Sequence, residues 1–188
     1  MLAYVFWHRP RPQTERSLYE AAIMRFQRDL ARQQPPGFIS ATSFAIAAVP
    51  WLSDHPGYED WYLVAGSWAL DPLNAYAIAG AMQSPHDSVA AQMEEGHGGL
   101  YAHAGGEAVM APRSAIYWMN RPRGISWQPP IAAVLAGCPR ANAWRRQMVL
   151  GRAAEFAVEV PGDAAIDVPP AWDARRVERV RLLEREQS

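Results

Sequence analysis

The stretch Ala3-Tyr4-Val5-Phe6-Trp7-His8-Arg9-Pro10-Arg11-Pro12 returns in altered form near the middle of the chain. The later stretch is Ala115-Ile116-Tyr117-Trp118-Met119-Asn120-Arg121-Pro122-Arg123-Gly124, 112 residues further along. An alanine, an aromatic residue and the sequence Arg-Pro-Arg fall in the same places. In this alignment Phe6 corresponds to Trp118, and His8 corresponds to Asn120. The repeat indicates one structural unit that is used twice.

Around the first strand, the sequence predicts the element order β-α-β-β-α-β. Pro10 ends the strand, and apolar residues then recur at helical spacing from Leu18 to Leu30. Strands over 38–49 and 58–68 follow. Helical patterns continue to about Glu95, the glycine-rich 96–99 ends them, and a short strand covers 100–103. This order is typical of a ferredoxin-like unit, an antiparallel sheet with helices on one face.

The second copy is shorter and harder to follow. Its first strand, 114–122, precedes a short helix and one long strand from 144 to 160, whose end matches 45–50 at an offset of 111. The charged segment 173–186 favours a C-terminal helix, with an edge strand over 177–183 as the alternative. The sequence therefore predicts an α+β protein of two fused ferredoxin-like halves. They cover 1–110 and 111–188, and the second is incomplete.

Composition excludes several classes of function. Of the 188 residues, 49% are apolar, and the net charge of −1 predicts no nucleic-acid-binding face. No apolar run approaches the ~20 residues that span a bilayer, and the N-terminus lacks a signal-peptide pattern. We therefore expect a cytoplasmic protein with no membrane partner. All 18 basic residues are arginines, which excludes a lysine Schiff base, and the single cysteine, Cys138, excludes an internal disulfide.

The tandem of two such halves resembles the dimeric α/β-barrel superfamily, in which two ferredoxin-like sheets pack into a barrel. Arg-Pro-Arg after the first strand and Tyr-Glu-Asp-Trp-Tyr at 58–62 are similar to uncharacterised bacterial members. The resemblance implies cofactor-independent monooxygenases, small isomerases and lyases, haem-degrading enzymes or chlorite dismutase-like haem proteins. The fold alone does not choose among them. It also implies that exposed sheet surface could produce a homodimer.

An aromatic and polar cluster on the repeated strands is the leading candidate site. We predict a concave pocket for an aromatic or conjugated metabolite, with His8 as general base or acid, Asn120 orienting the substrate and Arg9 neutralising negative charge. The predicted substrate-binding residues are Phe6, Tyr62, Trp68, Tyr101, His103 and Trp118. The alternative is that these rings fill the core, with their polar tips satisfied. A separate alternative for the function is a non-catalytic ligand-binding or interaction protein, whose aromatic cleft only holds a ligand or a partner.

Two further sets of residues have structural and functional interpretations. His97 and His103 follow Glu94 and Glu95, a spacing that predicts no metal site and leaves haem ligation as a second alternative to a cofactor-free protein. The arginines of the repeated Arg-Pro-Arg could bind an anionic ligand or pair with carboxylates at strand ends. Their presence in both copies favours the structural role.

Overall fold

The computed structural model describes residues 1–108, 110–148, 152–162 and 164–182. The first half contains β1 (Leu2–Pro10), α1 (Arg16–Gln33), β2 (Phe38–Val49), β3 (His55–Val64), α2 (Leu70–Ala77), α3 (Gln83–Ala90) and β4 (Met93–Gly106). The second half contains β5 (Arg113–Asn120), α4 (Gln128–Gly137), β6 (Asn142–Arg146), β7 (Phe156–Pro161) and β8 (Asp173–Arg181). None of the described helices is long and apolar enough to cross a membrane.

The eight strands form one closed antiparallel barrel in the order β1-β3-β2-β8-β5-β7-β6-β4. Within it, the order β4-β1-β3-β2 of the first half repeats as β8-β5-β7-β6 in the second. Pairing of β2 with β8 and of β4 with β6 joins the two sheets. The predicted fold class, two fused ferredoxin-like halves with the second incomplete, is confirmed. The barrel closes within one chain, so a partner chain is not needed to complete it, and a homodimer stays a prediction.

Helix α1 shows why the first half packs as it does. Its buried side chains include Tyr19, Ile23, Phe26 and Leu30, whose spacing places them on one face of a helix. That face lies on the outer surface of the sheet. The helix begins after Glu15, whose carboxylate accepts a hydrogen bond from the Ser17 amide and satisfies one free N–H of the first turn.

Tryptophan and tyrosine rings fill the barrel interior. Neighbouring rings meet edge to face, with centroids 5.2 Å apart for Trp7 and Trp118 and 5.6 Å apart for Tyr101 and Trp118. The buried aromatic residues of this cluster are Trp7, Phe44, Trp51, Trp61, Tyr101, Trp118 and Trp144. The interior is therefore a packed core, and the outer face of the first sheet, under α1, α2 and α3, is left to form a pocket.

Three predictions for the second half are wrong. The segment 173–181 is the strand β8, neither helix nor edge strand, because it lies between β2 and β5 and pairs with both. The segment from Trp144 to Val160 is part of two antiparallel strands, β6 and β7, with a connection between them. β7 stands third in its half, so it corresponds to β3 and not to the strand containing 45–50. Residues 183–186 of the predicted helix lie outside the described residues.

The repeat was also aligned one residue out of register. Ile116 and Trp118 point into the barrel with Val5 and Trp7, whereas Tyr4, Phe6 and His8 point outward toward the helices. By face, Trp118 therefore corresponds to Trp7 and not to Phe6. Because side chains alternate along a strand, a shift of one residue moves every side chain to the opposite face.

The glycine-rich stretch 96–99 lies inside β4 and does not end an element. A Cβ at Gly98 would lie 2.8 Å from the Tyr4 hydroxyl oxygen, and one at Gly96 would lie 2.6 Å from Phe6 Cζ. The absent side chains leave space for two rings of the neighbouring strand. These glycines therefore permit the close packing of the Tyr4 and Phe6 rings over β4.

Candidate functional site

A cavity of about 550 Å³ lies between the outer face of β1 and β3 and the helices α1, α2 and α3. Its size is within the range of pockets that hold small organic molecules. The helices contribute apolar residues, among them Ile23, Phe26, Leu73 and Val89, and the rim carries Asn74 and His86. Most of the lining is apolar, and the buried polar side chains of His8 and Asp60 lie at the floor.

Aromatic rings of the sheet form a flat wall of this cavity. Tyr4 stacks against Phe6 with 23° between their planes and against Tyr62 with 28°. Phe6 in turn stacks against the imidazole of His8 at 22°. Alternation along β1 and β3 places these side chains on the same outer face. The nearly parallel rings give the wall a shape that suits a planar ligand.

A buried network of hydrogen bonds centred on His8 and Asp60 forms the floor. His8 Nε2 lies 3.2 Å from Asp60 Oδ2, and His8 Nδ1 lies 2.7 Å from the Tyr19 hydroxyl. A carboxylate only accepts, so we assign the imidazole proton to Nε2, which donates to Asp60. Nδ1 then accepts from Tyr19. The two side chains of this pair are 1% and 6% exposed.

Asp60 accepts two further hydrogen bonds. The Tyr62 hydroxyl donates to its Oδ2 at 3.1 Å, and the Ser43 hydroxyl donates to its Oδ1. Gln27 of α1 donates to Ser43 behind it. The carboxylate is thus held by residues of β1, β2 and β3, with α1 packed over them.

The tyrosines around Asp60 are kept as neutral hydrogen-bond donors. Burial raises the pKa of Tyr62 well above its ordinary value, and the negative charge of Asp60 raises it further. The same two causes, in the same order, raise the pKa values of Tyr19 and Tyr4. At neutral pH these hydroxyls therefore donate protons in hydrogen bonds and carry no charge of their own.

The structure brings only some of the predicted site residues together. Phe6, His8 and Tyr62 line the cavity. Tyr101, His103 and Trp118 do not, because their strand positions turn them toward the barrel interior, where Tyr101 donates to the Ala154 carbonyl and His103 packs on Trp144. The predicted common face of His8 with Trp118 and Asn120 is therefore wrong.

Three more predicted residues lie away from the cavity. Arg9 is bound by Glu94 and Glu95 at the end of its strand. Asn120 ends β5 and accepts a hydrogen bond from the backbone N–H of Glu155. Trp68 precedes α2 and is 62% exposed.

The sequence interpretation missed Asp60 as a site residue. It included this residue within the segment Tyr-Glu-Asp-Trp-Tyr at 58–62 but not among the site residues. The signal was available: Tyr58, Asp60 and Tyr62 alternate with Glu59 and Trp61 along β3, so a polar group and two rings share one face.

Haem does not fit the described residues. His97 bonds to Glu95 near the end of β4, His103 faces the barrel interior, and both nitrogens of His8 already have partners. His86 is at the rim, paired with Asp87. Among the described residues that line the cavity there is no arginine to bind a propionate. Nor do the described ranges contain any group of three His, Cys, Asp or Glu residues able to hold a metal ion.

Comparison with solved structures identifies the fold. A crystal structure of a protein provisionally named a monooxygenase, from Lactobacillus acidophilus NCFM, superposes with a TM-score of 0.59 at 8% identity, covering 97% of this chain and 94% of that one. The chain has the dimeric α/β-barrel fold. A crystal structure provisionally named a chlorite dismutase shares this dimeric α/β-barrel fold, with a TM-score of 0.52, 8% identity, and coverage of 95% and 94%.

The high coverage on both sides means that the whole barrel is shared and not one half alone. No protein-family model matches the sequence, and no curated protein matches it significantly. At such low identity, the likeness to other dimeric α/β barrels extends to the fold and to no single residue.

Proposed function

We propose that this protein binds a flat aromatic or conjugated small molecule in the cavity and acts on it by proton transfer, without a dedicated cofactor. The observation that carries the proposal is the His8–Asp60 pair at the floor of an otherwise apolar cavity. Buried acid–base pairs of this kind, in a cleft of ligand size, are typical of functional sites.

The pair supplies one acid–base function. In the resting state it holds one proton, on His8 Nε2, and its carboxylate oxygen faces the cavity beside the Tyr62 hydroxyl. A proton taken from a carbon or oxygen of the ligand goes to the Asp60 carboxylate, which the His8 Nε2–H holds in place, and the bonding electron pair stays on the ligand as an enolate or phenolate. As Asp60 takes the proton, the Tyr62 hydroxyl can turn its hydrogen bond from Asp60 to the developing negative oxygen of the ligand.

The next step of that anion distinguishes an isomerase from a monooxygenase. Return of the proton to another position of the ligand is isomerisation. If the anion instead forms a C–O bond with dioxygen, the resulting peroxide loses water and the ligand, which supplies the electrons, is oxidised to a quinone. This is monooxygenation, the activity in the provisional name of one structural neighbour. The fold is common to both classes and does not decide between them.

The first experiment measures exchange of the α-protons of 2-tetralone, a flat aromatic ketone, in deuterated water by NMR. We expect the wild-type protein to accelerate the exchange and Asp60→Asn to lose at least about 100-fold of that acceleration, the usual contribution of a general base. The matched control is Asp87→Asn, because Asp87 is exposed on α3 and does not line the cavity. If Asp60→Asn exchanges as fast as wild type, Asp60 is not the base.

A second candidate function is binding without catalysis. It is favoured by the near-complete burial of His8, whose two ring nitrogens are both already hydrogen-bonded. In that case the network stabilises the cavity floor and the ligand is held unchanged. Binding of 2-tetralone with no acceleration of exchange would support this function, and oxygen consumption with a conjugated phenol would support monooxygenation instead.

A further inference from the structure

The cavity has a single buried fixed charge, the carboxylate of Asp60. No arginine is among the described residues that line the cavity, and the sequence contains no lysine. His86, at the rim, is 40% exposed and bound to Asp87, so solvent screens it from the floor. His8 beside Asp60 is the neutral imidazole in our assignment, because its Nδ1 accepts from the Tyr19 hydroxyl. A ligand that reaches the floor therefore meets one negative charge and no compensating cation.

The arginines around this region bind groups outside the cavity. Arg9 binds Glu94 and Glu95 on the far side of its strand, and Arg11 donates to the backbone carbonyl of Met93. On the surface of α1, three arginines surround Asp29 and the fourth pairs with Glu20. A ligand carboxylate or phosphate would thus be buried without the fork of N–H donors that normally binds it.

Counting hydrogen-bond capacity shows what the floor can accept. A carboxylate offers about four lone-pair positions. Ser43, Tyr62 and His8 occupy three of them at Asp60. The remaining position is an acceptor on Oδ1 of Asp60, a residue that lines the cavity. The group of a ligand that meets Asp60 must accordingly offer a proton, from an O–H, an N–H or an acidic C–H.

We propose, on the basis of the function proposed above, that the cavity takes a planar aromatic ring whose leading substituent is a hydrogen-bond donor, a phenol or an amine. It rejects the same ring when that substituent is a carboxylate or a phosphate. The nearly parallel rings of Tyr4, Phe6 and Tyr62 select the planar shape, and Asp60 selects the substituent. Repulsion between two negative charges is strong at such a buried position.

The test compares ligands of one shape and different charge. Binding of 2-naphthol and of 2-naphthoate, which is ionised at neutral pH, is measured by calorimetry. We expect 2-naphthol to bind at least about tenfold more tightly than 2-naphthoate. Asp60→Asn should reduce this ratio severalfold. Asp87→Asn removes one carboxylate at the rim and should leave the ratio unchanged.

A second pair of variants locates the binding. Ala77→Trp fills the cavity from α2, whereas Ala75→Trp places the same ring on the exposed face of the same helix. Binding of 2-naphthol should be lost only in the first. Because the wild-type ratio needs no substitution at the floor, the test stands even if Asp60→Asn does not fold.

The outcomes separate the two proposals. Equal affinity of wild type for 2-naphthol and 2-naphthoate, with both lost in Ala77→Trp, overturns the charge selectivity and leaves the cavity as the binding site. Absence of binding by either ring, or binding that Ala77→Trp leaves intact, overturns the proposed function and the selectivity together.

Discussion

The guanidinium of Arg179 on β8 lies 2.8 Å, from Nη1 to Oε1, from the carboxylate of Glu59 on β3, and neither side chain is exposed. The other terminal nitrogen binds Glu159 on β7, and Nε donates to the Ser114 hydroxyl on β5. The remaining donors to the two carboxylates are Trp7, Trp61, Asn142 and the amide of Ala111. One arginine therefore pairs with two buried carboxylates at the centre of the barrel and connects both halves.

Arg179→Met should destabilise the protein by about 3–5 kcal/mol, because it leaves two carboxylates buried without their cation. The control is Arg176→Met, three residues earlier, which removes an exposed pair with Glu178 and a cation–π contact with the Tyr117 ring and should cost only about 1 kcal/mol. Urea denaturation measures both. Equal free energies of unfolding for the two variants would show that the Arg179 cluster does not stabilise the barrel.

Gly98→Ala should cost about 1–3 kcal/mol, because its Cβ would meet the Tyr4 hydroxyl oxygen at 2.8 Å and force the ring away from β4. Affinity for 2-naphthol should fall as well, since Tyr4 is part of the flat wall. Gly137→Ala is the control: no atom lies within 4 Å of the Cβ it would add. Equal thermal stability of the two variants would contradict this account of the glycine.

Glu95 should make stability depend on pH in the acid range. The Arg9 guanidinium, then His97 and Ser53, lower the pKa of Glu95 from 4.5 to about 2. Since the folded-state pKa is depressed, the stabilisation is complete above about pH 4.5 and is lost as the pH falls toward about 2. Glu95→Gln should flatten acid unfolding, followed by circular dichroism, in this window. Glu107→Gln, exposed after β4, is the control and should not change it.

Hemin should not be coordinated in the cavity. When hemin is titrated into the wild-type protein and into His86→Ala, the two Soret bands should be the same. The histidine at the floor has no free nitrogen to bind iron, and no arginine among the described lining residues binds a propionate. A shifted Soret band that disappears in His86→Ala would show instead that the rim histidine binds iron.

Local patterns in the sequence predicted the first half well and the second half poorly. Alternation along β1 correctly placed Phe6 and His8 on one face, and the periodicity of α1 correctly gave its buried stripe. The charged sequence of β8 favoured a helix. Its strand form depends on pairing with β2 and β5, which are distant in sequence.

The prediction of the candidate site was wrong for the residues whose placement depended on the register between the two copies. The repeated Arg-Pro-Arg aligned the copies by identity, but burial of Trp118 beside Trp7 aligns the strands one residue differently. Sequence identity could not reveal this, because side-chain direction depends on which face of each sheet meets the core. The salt bridge between Arg121 and Glu155 agrees with the structural interpretation of the repeated arginines.

The pairing of β2 with β8 and of β4 with β6 protects this chain from aggregation. β2 and β4 would each have an unpaired row of backbone N–H and C=O groups if the second half were absent, and β6 and β8 would have the same if the first were absent. Within the described chain, each half thus pairs the edge strands through which the other half would self-associate. Separately expressed halves should precipitate alone and recover a soluble barrel when they are refolded together.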